Sequence, residues 1–125
     1  MARVIAERPA ALGKQVLIDL YGCDPVVLGD PLRLKRVLED AARAARATIV
    51  SSHFHHFSQQ GVSGVVIIAE SHLTIHTWPE LGTASIDIYT SGTSADPRLA
   101  LPVLRAGLAA RRERLAELGR GLPCP

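Results

Sequence analysis

All five histidines of this 125-residue chain, His53, His55, His56, His72 and His76, fall on either side of Ser71. An imidazole titrates near neutral pH and can take or give a proton. A group of them around a hydroxyl therefore marks a place for proton transfer, nucleophilic attack or metal binding. His53-x-His55 puts two imidazoles on one strand face, which suits zinc, but no Cys pair or His-Glu-x-x-His run supplies further ligands, so no metal is expected. Ser71, His76 and Asp87 are the residue types of a hydrolytic triad, yet Ser71 lacks the Gly-x-Ser-x-Gly elbow. The plain alternative is that single histidines face solvent from half-buried strands.

Periodicity gives the elements that must hold these groups. Gln15 to Tyr21 sets Val16, Ile18 and Leu20 against Leu17 and Asp19 and ends at Gly22, the pattern of a strand. Asp30-Pro31 reads as an N-cap and first helical residue. Leu34, Val37, Leu38, Ala41 and Ala45 then recur at helical spacing, with Lys35, Arg36, Glu39, Arg43 and Arg46 opposite. Thr48 to Phe57, ending at Gln59-Gln60-Gly61, and Val65 to Ala69 read as two more strands. His72 to Trp78 and Thr83 to Thr90 alternate on either side of Pro79-Glu80-Leu81-Gly82, which predicts a hairpin. Asp96-Pro97 caps a second helix that runs through Val103, Leu104, Leu108, Leu115 and Leu118 to Gly119, with Pro102 delaying or kinking its start. Gly121 to Pro125 reads as a short tail. The order predicts an α+β two-layer sandwich, an antiparallel sheet with two helices packed on one face, in a single domain over residues 1–125.

The run Gly61-Val-Ser-Gly-Val-Val-Ile-Ile-Ala-Glu-Ser-His-Leu-Thr-Ile-His-Thr-Trp-Pro-Glu80 closely resembles the bacterial-type S-adenosylmethionine decarboxylase proenzyme family. Tyr21-Gly-Cys-Asp-Pro25 and Ser51-Ser-His-Phe-His-His-Phe57 resemble it as well, so the likeness extends from about Leu12 to Asp96. The resemblance implies that Ser71 attacks the carbonyl of Glu70 in an N-to-O acyl shift. Elimination and hydrolysis then leave a pyruvoyl group, a β chain of residues 1–70 and an α chain of residues 71–125. It also implies that Ser63 and His76 assist processing, with His76 as the base. Phe57 matches the residue that stacks on adenine and Glu80 the one that binds the ribose hydroxyls. Trp78 is placed with them in the substrate wall, with packing beside Pro79 as its plain alternative. A pyruvoyl group forms a Schiff base with an amino acid and accepts the electrons left by carbon dioxide loss. Pyridoxal phosphate does the same but needs a lysine anchor. The only lysines, Lys14 and Lys35, open a strand and lie on a polar helix face, so no pyridoxal phosphate is expected.

The sequence departs from the family at the end of the hairpin. Where the family usually carries a cysteine that protonates the substrate carbon, this chain has Ser91, and a hydroxyl is a far weaker acid than a thiol. Leu81 and Thr83 stand where aromatic residues are usual. The expected substrate is S-adenosylmethionine, on the path to spermidine, with L-arginine or L-ornithine as the alternative. A second alternative is a regulatory or binding paralogue that no longer processes.

Composition narrows the partners. A formal charge of +2, with the arginines spread along two amphipathic segments, argues against nucleic acid. Cys23 and Cys124 form no Cys-x-x-Cys pair or disulfide framework, so a reducing cytoplasm fits. Met1 to Leu12 is interrupted by Arg3, Glu7, Arg8 and Pro9, unlike a signal peptide, and no later run could span a bilayer. The expected partners are a small-molecule substrate and a second copy, in a homodimer of cleaved protomers.

Overall fold

The computed structural model describes residues 11–58 and 61–122. The strand ending expected at Gln59 and Gln60, the interrupted N-terminal run up to Ala10, Cys124 and the last residues of the tail lie outside them. Strands Gly13–Tyr21 (β1), Ile49–His56 (β2), Val62–Ile68 (β3), Ser71–Trp78 (β4), Thr83–Ser91 (β5) and Arg112–Arg120 (β6) form one sheet in the order β2-β3-β4-β5-β1-β6. Every adjacent pair is antiparallel. Helices Pro25–Leu28 (α1), Pro31–Ala44 (α2) and Ala100–Leu108 (α3) complete the fold. The α+β architecture read from the sequence is the one observed.

The helix starts follow from their caps. Asp24 Oδ1 accepts from Val26 N at 2.9 Å, and Asp30 Oδ1 accepts from Leu32 N at 3.0 Å, in each case with proline as the next residue. Those side chains satisfy amides that the first turn leaves without helical partners. Leu34, Leu38, Ala41 and Ala42 of α2 and Leu104 and Leu108 of α3 are buried against Val16, Ile18, Leu20, Val66, Leu73, Ile75, Ile86 and Ile88 of the sheet. At Gly107 of α3, an added Cβ would meet Val37 of α2 at 2.6 Å, so the absence of a side chain there lets the two helices touch. None of the described helices is long and apolar enough to cross a membrane.

Two elements differ from the sequence expectation: the short helix α1 was not part of it, and the C-terminal segment is only partly helical. The second helix stops at Leu108, where Ala109 takes a left-handed conformation with φ 54°, and Leu115 and Leu118 belong to β6. Arg112 to Arg120 contains residues with good helix propensity, but all nine pair in register with β1. Tertiary pairing overrides a weak local preference here. Two ion pairs anchor the new edge strand to the helical layer: Arg98 Nε to Glu117 Oε2 at 3.2 Å, and Arg105 Nε to Glu113 Oε1 at 3.1 Å.

Because side chains alternate along a strand, the odd positions of β1 and β5 and the even positions of β4 face away from the helices. That second face carries His72, Thr74 and His76 beside Ser85, Asp87 and Tyr89, and no described helix covers it. One polar group stays on the helical side. Thr77 is 6 % exposed, and its hydroxyl donates to Leu28 O at 2.7 Å and accepts from Val62 N at 2.9 Å. It thereby joins the strand that carries His76 to α1 and β3. Thr77→Val strands a buried amide and a buried carbonyl, and should lower stability by about 2–4 kcal/mol in urea unfolding of the uncleaved Ser71→Ala chain.

Candidate active site

Ile68 and Ser71 face each other across a two-residue connection, Ala69–Glu70, between β3 and β4. Two-residue hairpins favour residues that accept positive φ in the turn itself. Here the unusual angle falls on the residue after it: Ser71 has φ +148°, a region that a non-glycine residue seldom adopts. Such a conformation costs about 1–3 kcal/mol and persists only where its surroundings enforce it.

The surroundings can be named. Ser91, at the end of β5, donates its backbone N–H to the Glu70 carbonyl oxygen at 2.8 Å and its Oγ–H to the same oxygen at 2.9 Å. Ala69 N donates to Thr48 O at 2.8 Å, and Glu70 Oε1 accepts from Thr48 N at 3.1 Å. The turn is thus fastened to β5 on one side and to the start of β2 on the other. Two donors converging on one amide oxygen are the arrangement that stabilises negative charge when a nucleophile adds to that carbonyl. The Ser71 hydroxyl lies 3.0 Å from Nδ1 of His72.

The other expected processing residues stand elsewhere. Ser63 Oγ and His76 Nδ1 are directly opposed on β3 and β4 and lie 2.8 Å apart. His76, however, is five residues from Ser71 along an extended strand, about 16 Å at the usual rise. Within one chain the pair does not reach the Glu70–Ser71 bond. The triad of Ser71, His76 and Asp87 is likewise not assembled, because Asp87 pairs with Thr74 in mid-strand. His53 and His55 share the uncovered face, with His53 Nε2 3.3 Å from Ser51 Oγ and the His55 ring edge-on to Phe57 at 4.6 Å. Among the described residues, no group of three or more His, Cys, Asp or Glu side chains could hold a metal ion.

Ser63 and His76 line both of two shallow clefts. One, of about 260 Å³, is bounded by Phe57, Val62 and Trp78, and the other, of about 350 Å³, by His53, His55 and Thr74. Phe57 and Trp78 are 45 % and 40 % exposed, which leaves an aromatic surface beside the pair. Glu80 is exposed in the short turn Pro79–Leu81 that follows β4. Phe57, Trp78, Ser63 and His76 therefore gather at one end of the uncovered face, while Glu70, Ser71 and Ser91 gather at the other.

His72 and Arg120 had no assigned role in the sequence reading, and Tyr89 entered it only as a candidate substitute for the missing cysteine. His72 holds the hydroxyl, and its ring is tilted against Tyr89 with centroids 5.8 Å apart. Arg120 lies 5.7 Å from the Tyr89 centroid and donates from Nη1 to Gln15 Oε1 at 2.6 Å. Tyr89 in turn leans over Gly13, where any Cβ would meet its ring at 2.5 Å. Adjacency to Ser71 was the available signal for His72. Arg120 carried none, because its segment reads as helix and tail. Burial raises the pKa of the Cys23 thiol, which is 5 % exposed and packs in the core.

Comparison with known proteins identifies the family. Residues 14–121 match the family model described as S-adenosylmethionine decarboxylase. The S-adenosylmethionine decarboxylase proenzyme of Thermodesulfovibrio yellowstonii is 46 % identical over 90 % of this chain and 83 % of its own length. That of Clostridium tetani is 45 % identical over 89 % and 88 %, and that of Pyrococcus furiosus is 40 % identical over 89 % and 80 %. The crystal structure of the adenosylmethionine decarboxylase from Aquifex aeolicus superimposes with a TM-score of 0.83 at 36 % identity, covering 91 % of this chain and 94 % of that one. With its fold, its matched length and its close relatives in agreement, this chain belongs to the S-adenosylmethionine decarboxylase family.

Proposed function

We propose that this chain is a self-processing decarboxylase that makes a pyruvoyl group from Ser71 and releases carbon dioxide from S-adenosylmethionine, a step toward spermidine. The observation that carries the reading is the Glu70 carbonyl oxygen, held by both donors of Ser91 and joined to a serine at φ +148°. The strain raises the ground state of the bond to be broken, and the donors stabilise the charge that forms on the oxygen. Attack by Ser71 Oγ converts the amide to an ester. Loss of the Ser71 α-proton expels Glu70 as the carboxylate end of a β chain of residues 1–70. Hydrolysis at residue 71, with loss of ammonia, leaves the ketone at the head of an α chain of residues 71–125. The pyruvoyl group supplies the electron sink that decarboxylation of an amino acid requires. A lysine-anchored cofactor has little support, since Lys14 is exposed on β1 and Lys35 is paired with Glu39 at 3.5 Å on the surface of α2.

The α-proton needs a base, and the family's pair, Ser63 and His76, lies about 16 Å away in the same chain. A second copy laid across the uncovered sheet face brings its own Ser63 and His76, with Phe57, Trp78 and Glu80, to the first copy's Ser71. The active unit is then a homodimer with two composite sites. Exposed Ile67, Trp78 and Leu118 on that face suit burial against another sheet. Phe57 and Trp78 offer flat apolar surface for an adenine, and Glu80 a carboxylate for ribose hydroxyls. Free, buried Cys23 is compatible with a reducing cytoplasm. Ser91, Leu81 and Thr83 are the observations that favour L-arginine or L-ornithine instead.

Mass spectrometry of the purified protein should find two fragments divided before residue 71, the second with a pyruvoyl-blocked start, while Ser71→Ala stays whole. A single intact wild-type chain would sink the reading. Carbon dioxide release should be fastest with S-adenosylmethionine; faster release from L-arginine or L-ornithine would reassign the substrate and leave the maturation chemistry standing. Ser91→Ala keeps its backbone donor but loses the hydroxyl, and should slow cleavage by about 100-fold in a gel-based time course. His76→Ala should stay uncut alone but be cut when co-expressed with Ser71→Ala, whose intact His76 acts across the dimer. Failure of that rescue would place the pair's action within its own chain.

A further inference from the structure

With His76 about 16 Å away along β4, the Ser71 hydroxyl has a different imidazole at hydrogen-bond distance. Nδ1 of His72 lies 3.0 Å from Ser71 Oγ. We infer that His72 is the base for the first step of maturation, taking the proton from Ser71 Oγ as it adds to the Glu70 carbonyl. This inference rests on the proposed function and divides its proton transfers between two histidines: His72 of the same chain for the acyl shift, and His76 for the elimination.

The step balances without an outside reactant. With the ring proton on Nε2, Nδ1 accepts the hydroxyl proton while the Oγ–C bond forms and the developing oxyanion is held by Ser91 N–H and Oγ–H. Collapse breaks the bond between the Glu70 carbonyl carbon and Ser71 N. The proton held by His72 then goes to the departing nitrogen, which becomes the free α-amino group of Ser71. The product is an ester, and His72 returns to its starting form. A base at this distance contributes about 10²- to 10⁴-fold when it is correctly oriented.

The orientation is fixed by contacts that reach across the sheet. His72 on β4 is directly opposite Tyr89 on β5, and the two rings are tilted by 32° with centroids 5.8 Å apart. Tyr89 is held between that ring and the Arg120 guanidinium, 5.7 Å from its centroid on the β6 side. Arg120 is tied to Gln15 at 2.6 Å, and Gly13 leaves the space that Tyr89 fills. Side chains on four adjacent strands, β4, β5, β1 and β6, thus brace the ring that touches Ser71.

The test uses the full chain made by cell-free synthesis, with cleavage followed on gels and unreacted precursor treated with hydroxylamine, which cuts esters but spares amides. His72→Asn keeps an acceptor near the Nδ1 position but cannot take the proton. It and His72→Ala should both cleave at least about 100-fold more slowly than wild type. Their precursors should resist hydroxylamine, whereas the His76→Ala precursor should be cut by it. Added imidazole should speed His72→Ala severalfold, a response that a purely structural role would not give. Cleavage of His72→Asn at the wild-type rate, hydroxylamine-sensitive His72 precursors, or no imidazole rescue in a variant that melts like wild type would each overturn the inference. If wild type itself never breaks before Ser71, the proposed function falls. If wild type breaks and His72→Asn keeps pace, only the role of His72 falls.

Discussion

Two hydrogen bonds from Ser91 to the Glu70 carbonyl oxygen connect the end of β5 to the turn that leads into Ser71 at φ +148°. A strained residue on a free hairpin would relax, because nothing would oppose the cost of about 1–3 kcal/mol. Here the turn is clamped from both sides, by Ser91 and by Thr48, and the clamp is only as rigid as the ladders that place those two residues. β5 keeps one register with β4 and another with β1, so Ser91 cannot move without sliding a strand. A one-residue slip would turn Ile86 and Ile88 out of the core, which pins the register strongly. The core of this protein thus holds the peptide bond proposed for cleavage next to a residue in an unfavourable conformation.

The same regularity separates the chemistry into two halves. An extended strand cannot fold back on itself, so the backbones of Ser71 and His76 on β4 stay about 16 Å apart whatever their rotamers. In a single protomer Ser71 and the Ser63–His76 pair cannot meet, and the proposed homodimer is what joins them. The uncovered face is suited to this, because the strands alternate and polar reactive groups sit beside apolar ones such as Ile67 and Trp78. A face buried against its own copy also excludes water, which strengthens the hydrogen bonds to the Glu70 oxygen.

Periodicity made most of this fold legible. Val16, Ile18 and Leu20 announce β1, and Asp30-Pro31 announces α2, because alternation and caps are local properties. β6 was illegible for the opposite reason. Arg112 to Arg120 lies at the sheet edge, largely exposed, and its conformation is set by pairing with residues about a hundred positions earlier. The site divides along the same line. Ser71, Glu70, Ser63 and His76 sit in a run whose motif can be read directly, whereas Arg120 reaches Tyr89 only once β6 exists. Ser91 was visible as a departure from the family, but the carbonyl it holds, twenty-one residues back, was not.

That contact changes what the serine at position 91 means. Viewed only as a missing thiol it is a loss, because a hydroxyl is a poor acid for delivering a proton to carbon. Viewed against the Glu70 carbonyl it is a gain: an O–H is a strong donor and S–H a weak one, so the oxyanion of the acyl shift is better held. In the proposed reaction one side chain faces two demands at different times, donor to an oxygen before cleavage and acid to a carbon afterwards. A serine favours the first. The second demand needs another proton source, because in that reaction the Ser71 hydroxyl that touches His72 leaves with Glu70. His72 ends the acyl shift with a bare Nδ1, so that imidazole must take up a proton from solvent before it can act as an acid.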